Sequence, residues 1–312
     1  MARTIVSVNL ALLLAAGAAG QTQPIQWISN AQQGVAQAKR VGLPLLFYVP
    51  GSRDRGDDDL DDAQQAAFRD PRVRSIAESR FVPTRLPLSS DNRAMLQQAG
   101  AAVGPGYCLV VMTPEGKLVG VIPPGQVADR RVLAQQLTAM FRKYRSELFE
   151  QRLKPLLEQE EARPADVVAA VRQIEKLLIL EADQALVSLL ERPGLGKGLQ
   201  KDVYEALAAL STKKSVEALL KAAQQDAQAA KALGRCTPGA AADMLPELKL
   251  DDMDKFVIVY EAVTNICNIK GKKPRGFWGG ENERLIAEEL ERVKREVQAA
   301  AERWRREYEP YR

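Results

Sequence analysis

The sequence predicts two folded units in succession: an α/β unit over residues 25–146 and an all-α unit over residues 147–312. In the first stretch, short apolar runs bounded by Gly and Pro alternate with segments whose apolar residues recur every three or four positions. This pattern is typical of alternating strands and helices. In the second stretch the strand pattern disappears and only the helical period remains. A chain of 312 residues is also long enough for about two domains.

The first unit opens with a predicted helix over 27–41, which ends at Gly42. The continuous apolar run Leu45–Val49 follows and predicts a strand buried on both faces. Further strands are expected over 81–88, Cys108–Met112 and 117–122, the last two as a hairpin around a turn. Further helices are expected from the acidic stretch 57–62 to Phe68 and over 71–79, 91–98 and 129–144.

Three short motifs accompany this order of elements. They are Trp27, Ala38-Lys39, Gly42 and Pro44-Leu45-Leu46 at the start, Phe68-Arg69-Asp70-Pro71-Arg72-Val73 with Arg80-Phe81-Val82 in the middle, and Thr113 to Lys117 in the hairpin. Taken in order, they resemble the thioredoxin fold, and most closely a secreted branch of that family. The resemblance covers residues 25–146 and implies an α/β thioredoxin-like domain.

The resemblance also implies a Cys-x-x-Cys motif after the first strand and a cis-proline before the third. This chain has Ser52 and Arg55 at the two cysteine positions and Tyr107 at the proline position, with Pro105 two residues earlier. Thiol–disulfide exchange needs a thiolate and a second thiol. A cis bond before tyrosine costs about 3 kcal/mol, so we expect a trans peptide there. The resemblance therefore implies a domain whose redox site is lost.

Few other catalytic groups are available. The chain has no histidine, which excludes Ser-His-Asp and Cys-His catalysis and histidine-containing zinc sites. Its three cysteines are Cys108, Cys236 and Cys267, and none lies in a Cys-x-x-Cys motif. We expect Cys108 to be a buried structural residue, because it begins a predicted strand. Whether Cys236 and Cys267 form a disulfide stays open.

No cofactor or metal site is expected. The acidic stretch 57–62 fails the spacing of a calcium-binding loop, because the required glycine falls on Asp62 and the required glutamate on Phe68. The net charge of +4 comes from 44 basic and 40 acidic residues that are interleaved along the chain, which argues against nucleic acid as a partner.

Residues 1–20 have the layout of a signal peptide. Arg3 precedes an apolar run from Ile5 to about Ala16, and small residues follow before Gln21. The alternative is an uncleaved membrane anchor, for which the apolar run is short. We therefore expect an exported protein, periplasmic or secreted, with no integral membrane segment after cleavage.

The second unit is predicted to be all helical. Its expected helices span 147–161, 164–180, 183–191, 199–210, 214–230, 251–269 and 281–308. Residues 203–222 resemble a HEAT-type helix pair and 185–190 is a weaker copy, so a stack of repeats and a non-repeating bundle both remain open. The apolar stripe of 281–308 either docks on the body or pairs with a second chain, making an oligomer.

One loop combines basic and aromatic residues, and we single it out as a candidate binding loop. Its members are Lys272, Lys273, Arg275, Phe277 and Trp278. Either it binds an acidic partner, or it is a linker whose aromatic side chains plug the helical core. The sequence favours a non-catalytic protein-binding scaffold. The alternative is a redox helper that uses Cys108 or the pair Cys236 and Cys267.

Overall fold

The computed structural model describes residues 25–49, 62–86, 89–102, 108–159 and 161–312. The strands are β1 (Leu45–Val49), β2 (Val82–Arg85), β3 (Cys108–Met112) and β4 (Leu118–Ile122). The helices of the first part are α1 (Ala31–Val41), α2 (Asp62–Arg69), α3 (Pro71–Arg80), α4 (Ser90–Gln98), α5 (Pro124–Val127) and α6 (Arg130–Leu148). The helices of the second part are α7 (Lys154–Glu158), α8 (Pro164–Leu177), α9 (Asp183–Leu190), α10 (Lys197–Leu210), α11 (Lys213–Ala223), α12 (Ala227–Leu233), α13 (Pro238–Met244), α14 (Met253–Ile266), α15 (Arg275–Trp278) and α16 (Glu283–Glu307).

The four strands form one mixed sheet in the order β2-β1-β3-β4. β1 runs parallel to β2 and antiparallel to β3, and β3 and β4 form an antiparallel hairpin. Every residue of β1 and β3 is buried, which explains their continuous apolar sequences. An α/β unit followed by a largely helical one is therefore confirmed.

Successive side chains of β1 enter two different cores. Leu46 and Tyr48 belong to the larger apolar cluster, whereas Phe47 and Val49 belong to a smaller one on the other face of the sheet. The smaller cluster lies against α1, whose residue Ala38 is fully buried in it. The larger cluster continues without a break into the helical part of the chain.

Local signals set the bounds of α1. Asn30 accepts a hydrogen bond from the amide of Gln33 at 3.0 Å and caps the start, and Gly42 ends the helix with a left-handed φ of 66°. Within the helix, Gly34 lies directly against β2. A Cβ at Gly34 would lie 2.2 Å from Oγ1 of Thr84, so this crossing needs glycine.

The two parts are joined by continuous helix. α6 runs through the expected division at 146/147 to Leu148, and a π-helical turn, Phe149–Leu153, leads directly into α7. Phe149, Leu153 and Leu157 are all buried. The residues that connect the two parts are thus core residues rather than an exposed linker.

In the second part, each helix from α8 to α14 packs on the helix two places away in the chain, and most chain neighbours also contact each other. α10 contacts both α8 and α12, and α12 contacts α14. α11 contacts both α9 and α13, and α10 and α11 contact each other. α16 covers α13 and α14 with Ile286, Val293, Val297 and Ala301 buried beneath it. The apolar stripe of this helix therefore docks on the chain's own body.

The helical part differs from the expectations around α12 and α13. The segment 214–230, predicted as one helix, is broken between α11 and α12, because Asp226 caps α12 by accepting from the amide of Gln228 at 2.8 Å. No helix was expected between 230 and 251, but α13 lies there, with Pro238 as its first residue and Thr237 as its cap. No helix in the described ranges is long and apolar enough to cross a membrane.

Candidate functional site

The last residue of β1 and the first residue of β3 lie side by side at one end of the sheet. Val49, the last residue of β1, is paired across the strands with Cys108, the first residue of β3. Ser52 and Arg55 follow Val49 in the chain, and Tyr107 immediately precedes Cys108; these three residues lie outside the described ranges. The pairing fixes only the point at which the chain leaves β1 and the point at which it enters β3.

An aromatic cluster lies beside this end of β1. Trp27 and Tyr48 have their ring centroids 5.5 Å apart, and the ring of Phe68 lies 5.6 Å from Trp27 and 6.0 Å from Tyr48. Tyr48 and Phe68 are buried, whereas Trp27 is half-buried. The tryptophan and the phenylalanine of the sequence motifs therefore support the sheet through packing.

The three cysteines are free thiols in the structure. Burial raises the pKa of Cys108 to about 11 and that of Cys236 to about 12. Burial, together with the nearby charge of Glu296, raises the pKa of Cys267 to about 11. All three are protonated at neutral pH, and a protonated thiol is a poor nucleophile and a poor metal ligand. In the described ranges no group of acidic or cysteine side chains is arranged to hold a metal ion.

The candidate binding loop divides into an inward half and an outward half. Trp278 is 3% exposed, and its ring packs edge-on against Phe256 at 4.8 Å and Tyr260 at 4.7 Å. Phe277 is half-buried and packs against Trp278 at 5.0 Å. The aromatic residues therefore plug the helical core, as the linker alternative expected.

The basic residues of the same loop point outward. Lys272, Lys273 and Arg275 are all exposed, and Arg275 forms an ion pair with Asp254 at 2.6 Å. The amide of Lys273 donates to the hydroxyl of Tyr260 at 2.7 Å, and its ammonium lies 5.3 Å from the centre of the Phe277 ring. The aromatic plug thus fixes the backbone that presents the cations.

Sequence reasoning missed a group of arginines on α3, α6 and the last residues of the chain. Arg145 is buried, and Arg80 carries a buried nitrogen without a hydrogen-bond partner in the described part of the structure. No signal in the sequence distinguishes these two from the other 42 basic residues, because their burial arises from how α3 packs on α6.

Comparison of the chain with protein-family models, with curated proteins and with solved structures finds no match.

Proposed function

We propose that this protein is an exported, non-catalytic scaffold with a thioredoxin-like domain, and that it binds another protein through the cationic loop of its helical part. The strand order β2-β1-β3-β4, with one parallel pair and two antiparallel pairs, supports the thioredoxin-like assignment. The packing of each helix from α8 to α14 on the helix two places away, with contacts between most chain neighbours, supports a HEAT-like stack for the second part.

The burial of the three thiols is the observation that carries the non-catalytic half of this proposal. A thiol with a pKa of about 11 is less than one part in a thousand thiolate at pH 7. Neither Cys108 nor the pair Cys236 and Cys267 offers a nucleophile under these conditions, so the redox-helper alternative gains no support from their surroundings.

The binding half of the proposal rests on the cationic loop. Lys272 and Lys273 are solvent-exposed and lie on a backbone that is held by the Tyr260 hydroxyl and by the buried Trp278. A fixed backbone reduces the entropy lost on binding, and exposed lysines attract an acidic partner from a distance. The expected partner is a protein with an acidic surface or segment.

Enzymatic assay tests the non-catalytic half. We expect the protein lacking residues 1–20 to show no insulin-disulfide reduction above buffer, because it lacks a reactive thiolate. The double variant Ser52→Cys/Arg55→Cys serves as a matched control: on the thioredoxin-like assignment its two new thiols oxidise to an intramolecular disulfide, seen by mass spectrometry before and after reduction. Insulin reduction by the parent protein contradicts the non-catalytic proposal, and failure of the new thiols to pair contradicts the thioredoxin-like assignment.

Charge reversal tests the binding half. We expect Lys272→Glu/Lys273→Glu to lose the proteins that the parent captures from an envelope extract, and we expect the parent's capture to weaken as salt rises. The control is Lys213→Glu/Lys214→Glu, an equally exposed lysine pair at the start of α11. Equal capture by both variants contradicts a role for the loop.

A further inference from the structure

Two guanidinium groups at the junction of α3 and α6 have buried nitrogens that lack acceptors. Arg145 is 3% exposed, and its Nε has no hydrogen-bond partner in the described part of the chain. The same holds for one terminal nitrogen of Arg80, at the end of α3. A buried charged group is normally paired with an opposite charge or fully hydrogen-bonded, because leaving water without a partner costs several kcal/mol.

Arg80, the last residue of α3, lies against the face of α6 that carries Phe141 and Arg145. The guanidinium of Arg80 stacks on the ring of Phe141, 5.4 Å from its centre. Phe141 and Arg145 are four residues apart on α6, so their side chains are neighbours on the helix surface. α3 packs directly on α6, which brings Arg80 to Arg145.

Two further arginines surround this pair. Arg142 donates from Nε to the main-chain oxygen of Arg312 at 3.3 Å, and from a terminal nitrogen to the oxygen of Pro310 at 3.4 Å. The guanidinium of Arg312 donates to the main-chain oxygens of Ala209 and Leu210 at the end of α10. These contacts bind residues 310–312 to both halves of the chain beside Arg145.

The electrostatic balance of the group is positive. Burial and the charges of Arg145 and Arg142 lower the pKa of Arg80 to about 10, and burial and Arg145 lower the pKa of Arg312 to about 10. Burial also lowers the pKa of Arg145, against the opposing effect of Glu181. The facing carboxylates are Glu181, which accepts from the Ser146 hydroxyl at 2.7 Å, and Glu309 near Arg312. Four guanidiniums thus face two side-chain carboxylates, Glu181 and Glu309, and the main-chain oxygen of Arg312 that accepts from Arg142.

We propose that Arg80 and Arg145 bind a tetrahedral oxyanion, phosphate or sulfate, between α3 and α6. The planar fork of a guanidinium matches two oxygens of such an anion, and its buried donors supply the charge-assisted hydrogen bonds. The site lies at the end of the sheet away from Val49, because the Tyr144 hydroxyl on α6 donates to the oxygen of Gly42, just before β1. It therefore lies away from the end of β1 at which Val49 pairs with Cys108.

Thermal unfolding of the protein lacking residues 1–20 tests this site. We expect the melting temperature to rise by about 2–4 °C in tens of millimolar phosphate or sulfate, relative to chloride at the same ionic strength, because an anion that binds only the folded state stabilises it. Arg145→Gln should remove this rise. It should also melt no lower than the parent in chloride, because an unpaired buried charge has been removed.

Arg80→Gln provides a second variant for the case in which Arg145→Gln does not fold, and it should also lose the anion-dependent rise. Arg303→Gln, on the exposed side of α16, is the control and should keep the full rise. A rise with either anion that depends on Arg145 or Arg80 supports the site. The site is overturned if the parent shows no rise with either anion. It is also overturned if the Arg80 and Arg145 variants both show a rise as large as the parent's.

Discussion

Burial changes the chemistry of the thiols and of the interior arginines in opposite directions. It disfavours the charged form of each group, so it raises the pKa of Cys108, Cys236 and Cys267 and lowers that of Arg80 and Arg145. For the thiols the neutral form is the resting state at neutral pH. The arginines stay charged at that pH, because their lowered pKa values still lie well above it. On the proposal above, a bound anion offsets the cost of burying their positive charge.

Cys236 yields a prediction for the pH dependence of stability. Its pKa is about 12 in the folded protein and about 9 in the unfolded chain, so its contribution is fully present below pH 9 and is lost as the pH rises towards 12. Between pH 8 and pH 10 the parent should lose about 1.4 kcal/mol more unfolding free energy than Cys236→Ala, measured by urea denaturation under reducing conditions.

Val216→Ala is the matched control for this measurement, because it also truncates a buried side chain but removes no titrating group. It should lose the same unfolding free energy as the parent between the two pH values. Parallel losses for the parent and Cys236→Ala would contradict the assigned burial of the thiol.

At the scale of the element, α13 and α16 cross closely at Gly239. A Cβ at Gly239 would lie 2.8 Å from Cζ3 and 3.1 Å from Cε3 of Trp304. Both atoms belong to a rigid indole ring, so Gly239→Ala forces the helices apart. We expect it to lower the free energy of unfolding by about 1–2 kcal/mol, because this strain exceeds the gain in helix propensity.

Gly276→Ala in α15 is the control, because a Cβ there meets nothing within 4 Å. It should leave the stability unchanged or raise it slightly. Both variants can be compared by urea denaturation. If Gly239→Ala is as stable as the control, α13 and α16 do not pack at the distance described.

Elements with a clear pattern of apolar residues along the chain could be predicted from the sequence. β1 and β3 match their expected bounds because strands buried on both faces have continuous apolar sequences. The break before α12 was missed because one capping aspartate, Asp226, interrupts an otherwise unbroken helical period. The arginine group was beyond prediction, because it depends on a contact between two helices that are some sixty residues apart in the chain.

At the scale of the whole molecule, the two parts share one core. The larger apolar cluster contains Leu46 of the sheet, Phe141 of α6 and Val297 of α16. The helical connection from α6 to α7 is buried, and Arg312 links α6 to the end of α10. One apolar cluster thus runs through both parts, so the chain is expected to behave as one cooperative unit although its sequence is divided into two patterns.

Unfolding should therefore occur in a single transition. Calorimetry should give a van't Hoff enthalpy equal to the calorimetric one, and Gly239→Ala, in the helical part, should lower the protection of the β1 amides against hydrogen exchange as much as that of the α14 amides. The reason is that the apolar cluster on one face of the sheet continues through α6 and the buried residues Phe149, Leu153 and Leu157 into the helical part. Two calorimetric transitions, with only one of them shifted by Gly239→Ala, would mean that the sheet and the helical part are stable separately.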